Sequence, residues 1–523
     1  MSDPAPASRP APRLRSIRAL RQWLQGSRWR VVFFFGGCLL TLGVLAIAEE
    51  NWRAERAWNR CRQTLAAAGE KLTLADFKPQ PLPPEQNFAA TPLLAPPPAA
   101  RLTNAAPPPF LIDIALGTAP TAQPGPTLGN WRAARRTDLQ VWAEAYRSRT
   151  NLPAGTDSAA AAVLATLARF EPEFAELRAA SLRPYAQFPW TWNQPDQLAP
   201  HFQAAKAITQ ALALHAIAGL AEGRTDAALA DVTVSLKLDQ ALRNEPVMLA
   251  YMVRVALLQV TLLPVWEGLA EHRWSDAQLQ TFQRQFGQLD LLADLVQTRR
   301  GERGLANTLT EQMLTSPPAP APGGEPATVR AVARDLGFGP RALLRQNQIH
   351  INELFQLAID ALQTAASGHE GHRPPNLVAF QARAQSLRTQ HPYRALAGLL
   401  GPALQSVIEK GIQAQASLDL AVVACALERH RLAHGTYPAQ LPALVPDYLA
   451  RLPLDLADGQ PLRYRRDPDG QFVLYSLGLN GQDDGGRVEM ISATHNPDPH
   501  QGDWVWRYPP TAPASVPPSG HQP

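Results

Sequence analysis

Eighteen consecutive residues without a charge, Val31–Ala48 (VVFFFGGCLLTLGVLAIA), constrain this chain more than any other stretch. At about 1.5 Å of rise per residue such a run, if helical, sits at the short end of what crosses a hydrocarbon layer of about 30 Å. Its flanks are unequal. Ser2–Arg30 carries Arg9, Arg13, Arg15, Arg18, Arg21, Arg28 and Arg30 against one acid, Asp3, while Glu49 and Glu50 close the far side. Trp29 and Trp52 stand where interfacial aromatics belong, and arginine-rich flanks stay on the cytoplasmic side. The pattern predicts a basic cytoplasmic arm over 1–30, a single transmembrane helix over 31–48 in the inner (cytoplasmic) membrane, and an extracytoplasmic remainder. A cleaved signal peptide is the competing reading, because Ala46-Ile47-Ala48 fits a small-x-small cleavage site. The length of the arm, and helix-favouring residues that continue to about Leu65, favour an uncleaved anchor. A buried soluble helix would leave the charge asymmetry unexplained.

The remaining length, in a chain of 523 residues, is enough for more than one domain with a real core. A net charge of +4, from 49 basic and 45 acidic residues, is too balanced to suggest a nucleic-acid partner, and much of the excess is in the N-terminal arm. Three cysteines are too few for a disulfide framework: Cys38 lies in the apolar run, and Cys61 and Cys425 read as independent thiols. Residues 49–76 extend the anchor as a juxtamembrane helix with Trp52, Ala54, Ala57, Trp58, Cys61 and Leu65 along one side, either a partner-binding stripe or a solvated rod that projects the later domains. Residues 77–130 are broken by Pro81, Pro83, Pro84, Pro96-Pro97-Pro98 and Pro107-Pro108-Pro109 and read as a linker or strap. Phe88, Leu93-Leu94 and Phe110-Leu111-Ile112 suggest that parts of the strap lie on a domain surface.

Residues 131–400 repeat helical signals almost without strand signals, which predicts a helical-bundle domain. Trp131–Ser148 is amphipathic, Thr156-Asp157-Ser158 can cap an Ala-rich helix to Phe170, and Pro172–Ala180 resumes it. Leu198–Ala221 and Thr225–Arg243 form a helical hairpin through Glu222-Gly223-Arg224; a single such unit of tetratricopeptide flavour does not make a solenoid. Pro246–Glu271 is the most apolar helix of the region and contains Pro264. Glu245, Arg254, Gln259 and Glu267 mark it as a core helix with polar edges rather than a second span. Ser275–Gln288, Asp290–Met313, Arg341–Ala366 and Leu377–Leu400 complete the helices, with a loop over Pro317–Pro326.

Residues 401–508 change character. A helix over Leu418–His434 stops at Gly435 with Pro438 beyond it. A short helical turn (Leu441–Leu449) comes next, then two strands, Leu462–Arg466 and Gln471–Leu477, joined by Asp467-Pro468-Asp469-Gly470. The second strand feeds a loop, Gly478–Gly486, dense in Gly, Asn and Asp, and the tail 509–523 reads as unstructured. The fold class is therefore mainly α: one transmembrane helix, a helical extracytoplasmic domain and a small α+β C-terminal domain.

That last order resembles the globular head of a type II secretion pseudopilin, the major pseudopilin above all. Gly435-Thr436-Tyr437-Pro438, Leu452-Pro453-Leu454-Asp455, Tyr475-Ser476-Leu477-Gly478 and the Asx/Gly loop carry the resemblance. It covers roughly the last hundred residues, a segment of ordinary small-domain size. The whole chain also resembles bacterial single-pass membrane proteins that pair such a head with a long helical region. The resemblance implies a calcium site: calcium takes hard oxygen ligands in irregular geometry, here Asn480 (where the family usually has Asp), Asp483, Asp484 and Asp503, which precedes Trp504-Val505-Trp506. The competing reading, which the residues favour, is an Asx-turn loop closed by its own backbone. One family feature is missing. No acid comes after Gly36-Gly37-Cys38 until Glu49, so prepilin processing and polymerisation are not implied.

Elsewhere the chemistry is sparse. His369-Glu370-Gly371-His372 lies in a loop before two prolines with no third ligand nearby. His430 and His434 have zinc-protease spacing, but Arg431 stands where a catalytic Glu would be. Arg299-Arg300-Gly301-Glu302-Arg303-Gly304 reads as a charged interruption of a surface helix, or as the lining of a groove. There is no nucleophile elbow, P-loop or dinucleotide fingerprint. These readings lead to a structural or interaction protein of the envelope, accessory to secretion or pilus-type machinery. An envelope enzyme of hydrolase type, or a ligand-binding module using the helical domain, are the alternatives.

Overall fold

The computed structural model describes residues 28–94, 126–147, 157–189, 200–315, 341–366, 377–388, 391–494 and 496–509. The basic arm before Arg28, the triple prolines of the strap, the loop Pro317–Pro326, His369–His372 and the tail from 510 lie outside them. The described residues are mainly helical with a small sheet component.

The first helix, α1, runs unbroken from Arg28 to Ala67 and so joins the apolar run to the juxtamembrane segment in one rod. Among the described residues nothing covers its apolar portion: Phe33 is 73% exposed, Leu40 71%. That portion is long and apolar enough to cross a membrane and has no protein around it. Its outer half behaves differently. Ala54 and Trp58 are buried, with Cys61 and Leu65 half-covered, at a spacing that puts them on one face. This face docks on a later helix of the same chain, so α1 is not a solvated rod. Trp52, expected on that stripe, points away instead and lies under the Arg56 guanidinium, 5.2 Å from its ring centre.

Ten further helices of the body come next in order. They are α2 (Leu139–Arg147), α3 (Ala159–Leu167), α4 (Glu171–Ser181), α5 (Pro200–Ala221), α6 (Thr225–Leu242), α7 (Met248–Ala270), α8 (Asp276–Phe286), α9 (Leu291–Thr315), α10 (Arg341–Ala366) and α11 (Val378–Leu387). Local chemistry explains several starts. Ser158 accepts the Ala161 N–H at the head of α3, and Ser275 with Gln278 forms a complete capping box on α8. Trp131 opens only a short 3-10 turn, and the amphipathic helix begins eight residues late, at Leu139, because Asn130 and Arg135 pair across a tight loop. The strap packs as expected where it is described, with Phe88, Ala89 and Leu94 buried against α3, α5 and α6.

Helices α5 and α7 are also long and apolar enough to span a bilayer, yet most of their apolar windows, 72% and 56%, are buried inside the protein. The polar residues of α7 are not at its edges. Arg254 is 2% exposed and clasps Asp239 on α6 and Asp294 on α9, at 3.0 and 2.9 Å. Burying an ion triad brings little net stability, but any one partner left alone would cost several kcal/mol, which fixes how these three helices sit.

The last helix, α12, spans Ala395–His434 without interruption, through Pro402. The sequence pattern predicts helices over 377–400 and 418–434; the break instead falls between Leu387 and Ala395, around Pro392. Gly398 and Gly401 let α11 lie against the first turns of α12: a Cβ at Gly398 would stand 2.5 Å from the Leu387 carbonyl oxygen. The helix therefore crosses the expected domain boundary at 400/401.

Beyond Gly435, β1 (Arg463–Arg466) and β2 (Phe472–Ser476) form the expected hairpin, with Arg466 opposite Phe472, and β5 (Trp504–Trp506) pairs antiparallel to the other side of β2. A second two-stranded ladder, β3 (Val488–Ile491) with β4 (Asn496–Gly502), is not evident from the sequence, because Pro497 and Pro499 argue against a strand. The short helical turn is 3-10, Leu441–Leu444. Helix α12 lies across β2 and β5, and the core beneath it belongs to both parts of the chain. Leu418, Leu427, Phe472 and Trp506 pack with Trp131, Trp266 and Phe282 of the body. The Trp131 and Trp506 ring centres are 5.1 Å apart, and Trp266 Nε1 donates to the Arg507 carbonyl at 3.0 Å.

Because this core is shared, the head and the helical body are expected to melt in one transition. Trp506→Ala should lower the stability of that whole transition by about 3–5 kcal/mol. Calorimetry of the full chain reads this directly, and two separable transitions would contradict it.

Candidate functional site

The C-terminal residues singled out from sequence are joined by one buried carboxylate. Asp455, 1% exposed, accepts the Ser476 hydroxyl (2.7 Å) and the Ala457 N–H (3.0 Å) on Oδ1 and the Leu477 N–H (2.9 Å) on Oδ2. A turn after Pro453 is thereby pinned to the end of β2, which is why Leu454-Asp455 and Tyr475-Ser476-Leu477-Gly478 occur together. At the other end, Gly435 adopts φ 78° and returns its N–H to the Arg431 carbonyl at 2.7 Å, ending α12. Tyr437 then turns inward, its ring edge-on to Phe472 at 4.9 Å.

The loop after β2 holds the four residues expected to bind calcium. Asn480 Nδ2 donates to Asp484 Oδ2 at 3.0 Å, and Asn480 Oδ1 accepts the Gln482 N–H at 3.1 Å. Asp483 Oδ1 accepts both the Tyr475 hydroxyl and the Gly485 N–H. Asp503, 2% exposed, accepts the Gly486 N–H on Oδ2 at 2.7 Å, while its Oδ1 is buried without a hydrogen-bond partner among the described residues. Burial pushes the Asp503 carboxyl up, the Gly486 and Asp484 amides oppose this, and the negative charges of Asp484 and Asp483 add to it. Much of the loop is thus closed as Asx turns. No group of three or more His, Cys, Asp or Glu stands at metal-holding spacing among the described residues. The one observation that fits a cation is the Asp503 oxygen, which has hard-ligand chemistry and no partner.

The His430 and His434 rings lie close and tilted, with centres 4.3 Å apart, but each already has a neighbour: His430 Nδ1 is 3.0 Å from the Thr436 carbonyl and His434 Nε2 is 3.2 Å from the Tyr448 hydroxyl. Arg299–Gly304 is neither a helix break nor a surface. It lies within α9, and Arg299 and Arg303 are fully buried. Its glycines serve close approach: a Cβ at Gly301 would stand 2.1 Å from the Pro246 carbonyl oxygen, and one at Gly304 would stand 2.9 Å from Thr73. Arg303 reaches Glu70 just past the end of α1 and Gln356 on α10, and Arg300 shares Glu70 at 3.1 Å. Burial raises the proton affinity of Glu70, and the two guanidiniums outweigh it and hold the carboxyl below its usual range.

Two further buried carboxylates stand apart from the sequence-predicted sites: Glu267 reads in the sequence only as a polar edge of its helix, and Glu428 gives no pattern as a single acid after an apolar run. Glu428, fully buried on α12, accepts from the Tyr437 hydroxyl (2.8 Å) and the Arg431 guanidinium (2.7 Å) and faces His272 Nδ1 at 3.0 Å. Burial would raise its carboxyl; His272, Arg431 and Tyr437 together bring it below the usual value. Glu267 on α7 accepts the Thr137 N–H (3.0 Å) and hydroxyl (2.7 Å) on one oxygen, and burial pushes it up to about 7 despite those bonds and Arg136.

The chain matches no protein-family model, no curated protein and no solved structure.

Glu267 gives a pH signature. Unfolded, it ionises near 4.5; folded, it keeps its proton to about pH 7. The folded state binds the extra proton between those values, so this group's contribution is complete below pH 4.5 and is lost as pH rises through 7. Glu267→Gln keeps the acceptor oxygen and removes the titration. The variant should therefore gain stability over the parent on going from pH 5 to pH 8, by roughly 3 kcal/mol, as read by denaturant midpoints at the two pH values.

Proposed function

We propose that this protein is a membrane-anchored, extracytoplasmic structural or interaction protein that displays a pseudopilin-like head, accessory to type II secretion or pilus-type envelope machinery. In this reading α1 crosses the inner membrane with its arginine-rich arm in the cytoplasm, and every later domain is periplasmic. The observation that carries it is mechanical continuity. An exposed apolar rod passes without a break into a helix whose Glu55 pairs with Arg345 of α10, the segment just past its end is held to α9 by the covered Glu70–Arg300 pair, and α12 carries the sheet on a core shared with the helical body. A head fixed in this way, rather than swung on a flexible tether, suits a component that presents one surface at a set place.

The resemblance of Gly435–Pro438, Leu452–Asp455 and Tyr475–Gly478 to a pseudopilin head supplies the partner class. The head begins on α12, and the family's acid after the start of the apolar run is missing, so the protein is read as a companion of such machinery rather than a polymerising subunit. Purification of the tagged full chain from solubilised membrane should recover identifiable secretion or pilus-type components in stoichiometric amounts. Their consistent absence would remove this reading.

Calcium is proposed for the 478–486 loop on the strength of Asp503 Oδ1, with Asn480, Asp483 and Asp484 as the remaining ligands. The charge count places it among weak extracellular sites, in the range of about 0.1–1 mM. Millimolar calcium should raise the melting midpoint of the full chain, and Asp503→Asn should abolish that rise; magnesium at the same concentration is the control. An unchanged midpoint in the parent protein would reduce the loop to a set of Asx turns.

A further inference from the structure

We infer that the body of this protein rests on the membrane, and that an arginine-bearing face at the foot of α10, α11 and α12 engages the phosphates of anionic lipid. The inference depends on α1 being a membrane span.

The register of α1 against α10 sets the height of this face. Asn51 Oδ1 accepts the Ala342 N–H at 2.7 Å, Glu55 pairs with Arg345 at 2.8 Å, and the Arg345 guanidinium lies over Trp58 at 5.8 Å. The two helices therefore rise in parallel from the same end, and α9 descends beside them, with Glu311 also held by Arg345. Nothing in this arrangement is free to pivot at the membrane exit, because α1 is one helix across it.

Distances come from helix geometry. Asn51 is three residues beyond Ala48, or about 4.5 Å at 1.5 Å per residue, and Glu55 about 10 Å. The headgroup layer adds about 5–8 Å to each side of the hydrocarbon. The foot of α10 thus stands inside that layer. The turn before α12 is at the height of Asn347, whose side chain donates to the Pro392 carbonyl and accepts the Leu396 N–H, both at 2.9 Å. An arginine side chain on that turn is long enough to close the few remaining ångströms.

Three arginines stand there. Arg341 and Arg388 are exposed and Arg394 half-exposed. None makes an ion pair within the described residues, in contrast to Arg345 one turn above Arg341, which is paired with Glu55 and Glu311. Tyr393 lies on the same turn, half-exposed, and Trp52 on the open side of α1 is 56% exposed at the level of Asn51. Aromatic rings with unpaired guanidiniums at headgroup height are the composition of an interfacial contact. Among the described residues the acids at this level are in part neutralised already: Glu49 pairs with Arg53, and Glu55 and Glu311 with Arg345, leaving Glu50.

The test uses the full chain in nanodiscs of zwitterionic lipid alone or with about a third anionic lipid, with amide exchange followed over residues 391–400. Each arginine near an anionic surface is worth about a fivefold change in local opening. Exchange should be slower on the anionic discs, should lose that difference in Arg341→Glu/Arg388→Glu/Arg394→Glu, and should also lose it for the parent chain when salt is raised to about 0.5 M. The salt arm keeps the result decisive if the triple variant does not fold. Equal exchange on both lipids at low salt overturns the inference. A chain that fails to enter nanodiscs and is released from membranes by alkaline carbonate would refute the span itself, a separate outcome from an embedded chain whose body ignores lipid charge.

Discussion

The architecture depends on how α1 is held after it leaves the apolar run. A lone helix of that length has no reason to keep a fixed direction relative to the domain it carries. Here Arg345 reaches Glu55 and Glu311 together, and Arg303 and Arg300 close on Glu70, so guanidiniums on α10 and α9 hold α1 and the segment just past its end. The Arg303–Glu70 pair is well covered, so it contributes little net stability against an apolar alternative but is costly to break one partner at a time, whereas Glu55 and Glu311 are nearly half exposed. Their effect is to permit one docking register. Gly304 completes the clamp by letting residues 73 and 74 lie directly on α9.

The same kind of constraint recurs through the body. Helix α9 is fixed against α10 by Asn307, which bonds Asn352 and Gln348. Helix α7 is fixed against α6 and α9 by Arg254. Helix α12 is set against the start of α9 by Gln415, whose Oε1 accepts the Leu291 N–H at 2.9 Å. Each of these is a polar contact inside an apolar interface, and each selects one alignment of helices that hydrophobic packing alone would leave free to slide. The aromatic cluster around Trp506 then extends the same core into the sheet.

Local features are legible in the sequence, and the assembly only in part. Caps and stops are readable: Ser158, Ser275 and Gly435 act through hydrogen bonds within a few residues, and the Asp467–Gly470 turn does the same. The apolar run is readable because length and charge are linear properties. Features that depend on partners far away in the chain are not. Arg299–Gly304 looks like an interruption because two glycines and four charges lower helix propensity, yet those glycines exist for contacts with Pro246 and Thr73, and the charges for partners such as Glu70 and Gln356. Pro392 rather than Pro402 ends the preceding helix, a choice made by the packing of α11 on Gly398. In the loop, residue types are compatible with both Asx turns and a cation site, and only the geometry shows which oxygens are already taken and that Asp503 Oδ1 is not.

One dimension of the molecule has a consequence for any partner. Helix α12 holds 40 residues, from the turn beside Asn347 to the cap at Gly435, and at 1.5 Å each it is a ruler of about 60 Å. It runs outward, passing Leu404 beside Arg299 and Gln415 beside Leu291. The sheet packs along its second half, from Leu418 onward, and is thereby held at a set distance from that turn. In the membrane-anchored reading proposed above, whatever meets that sheet would come to it at this height, so the spacing, as much as any side chain, would bear on recognition.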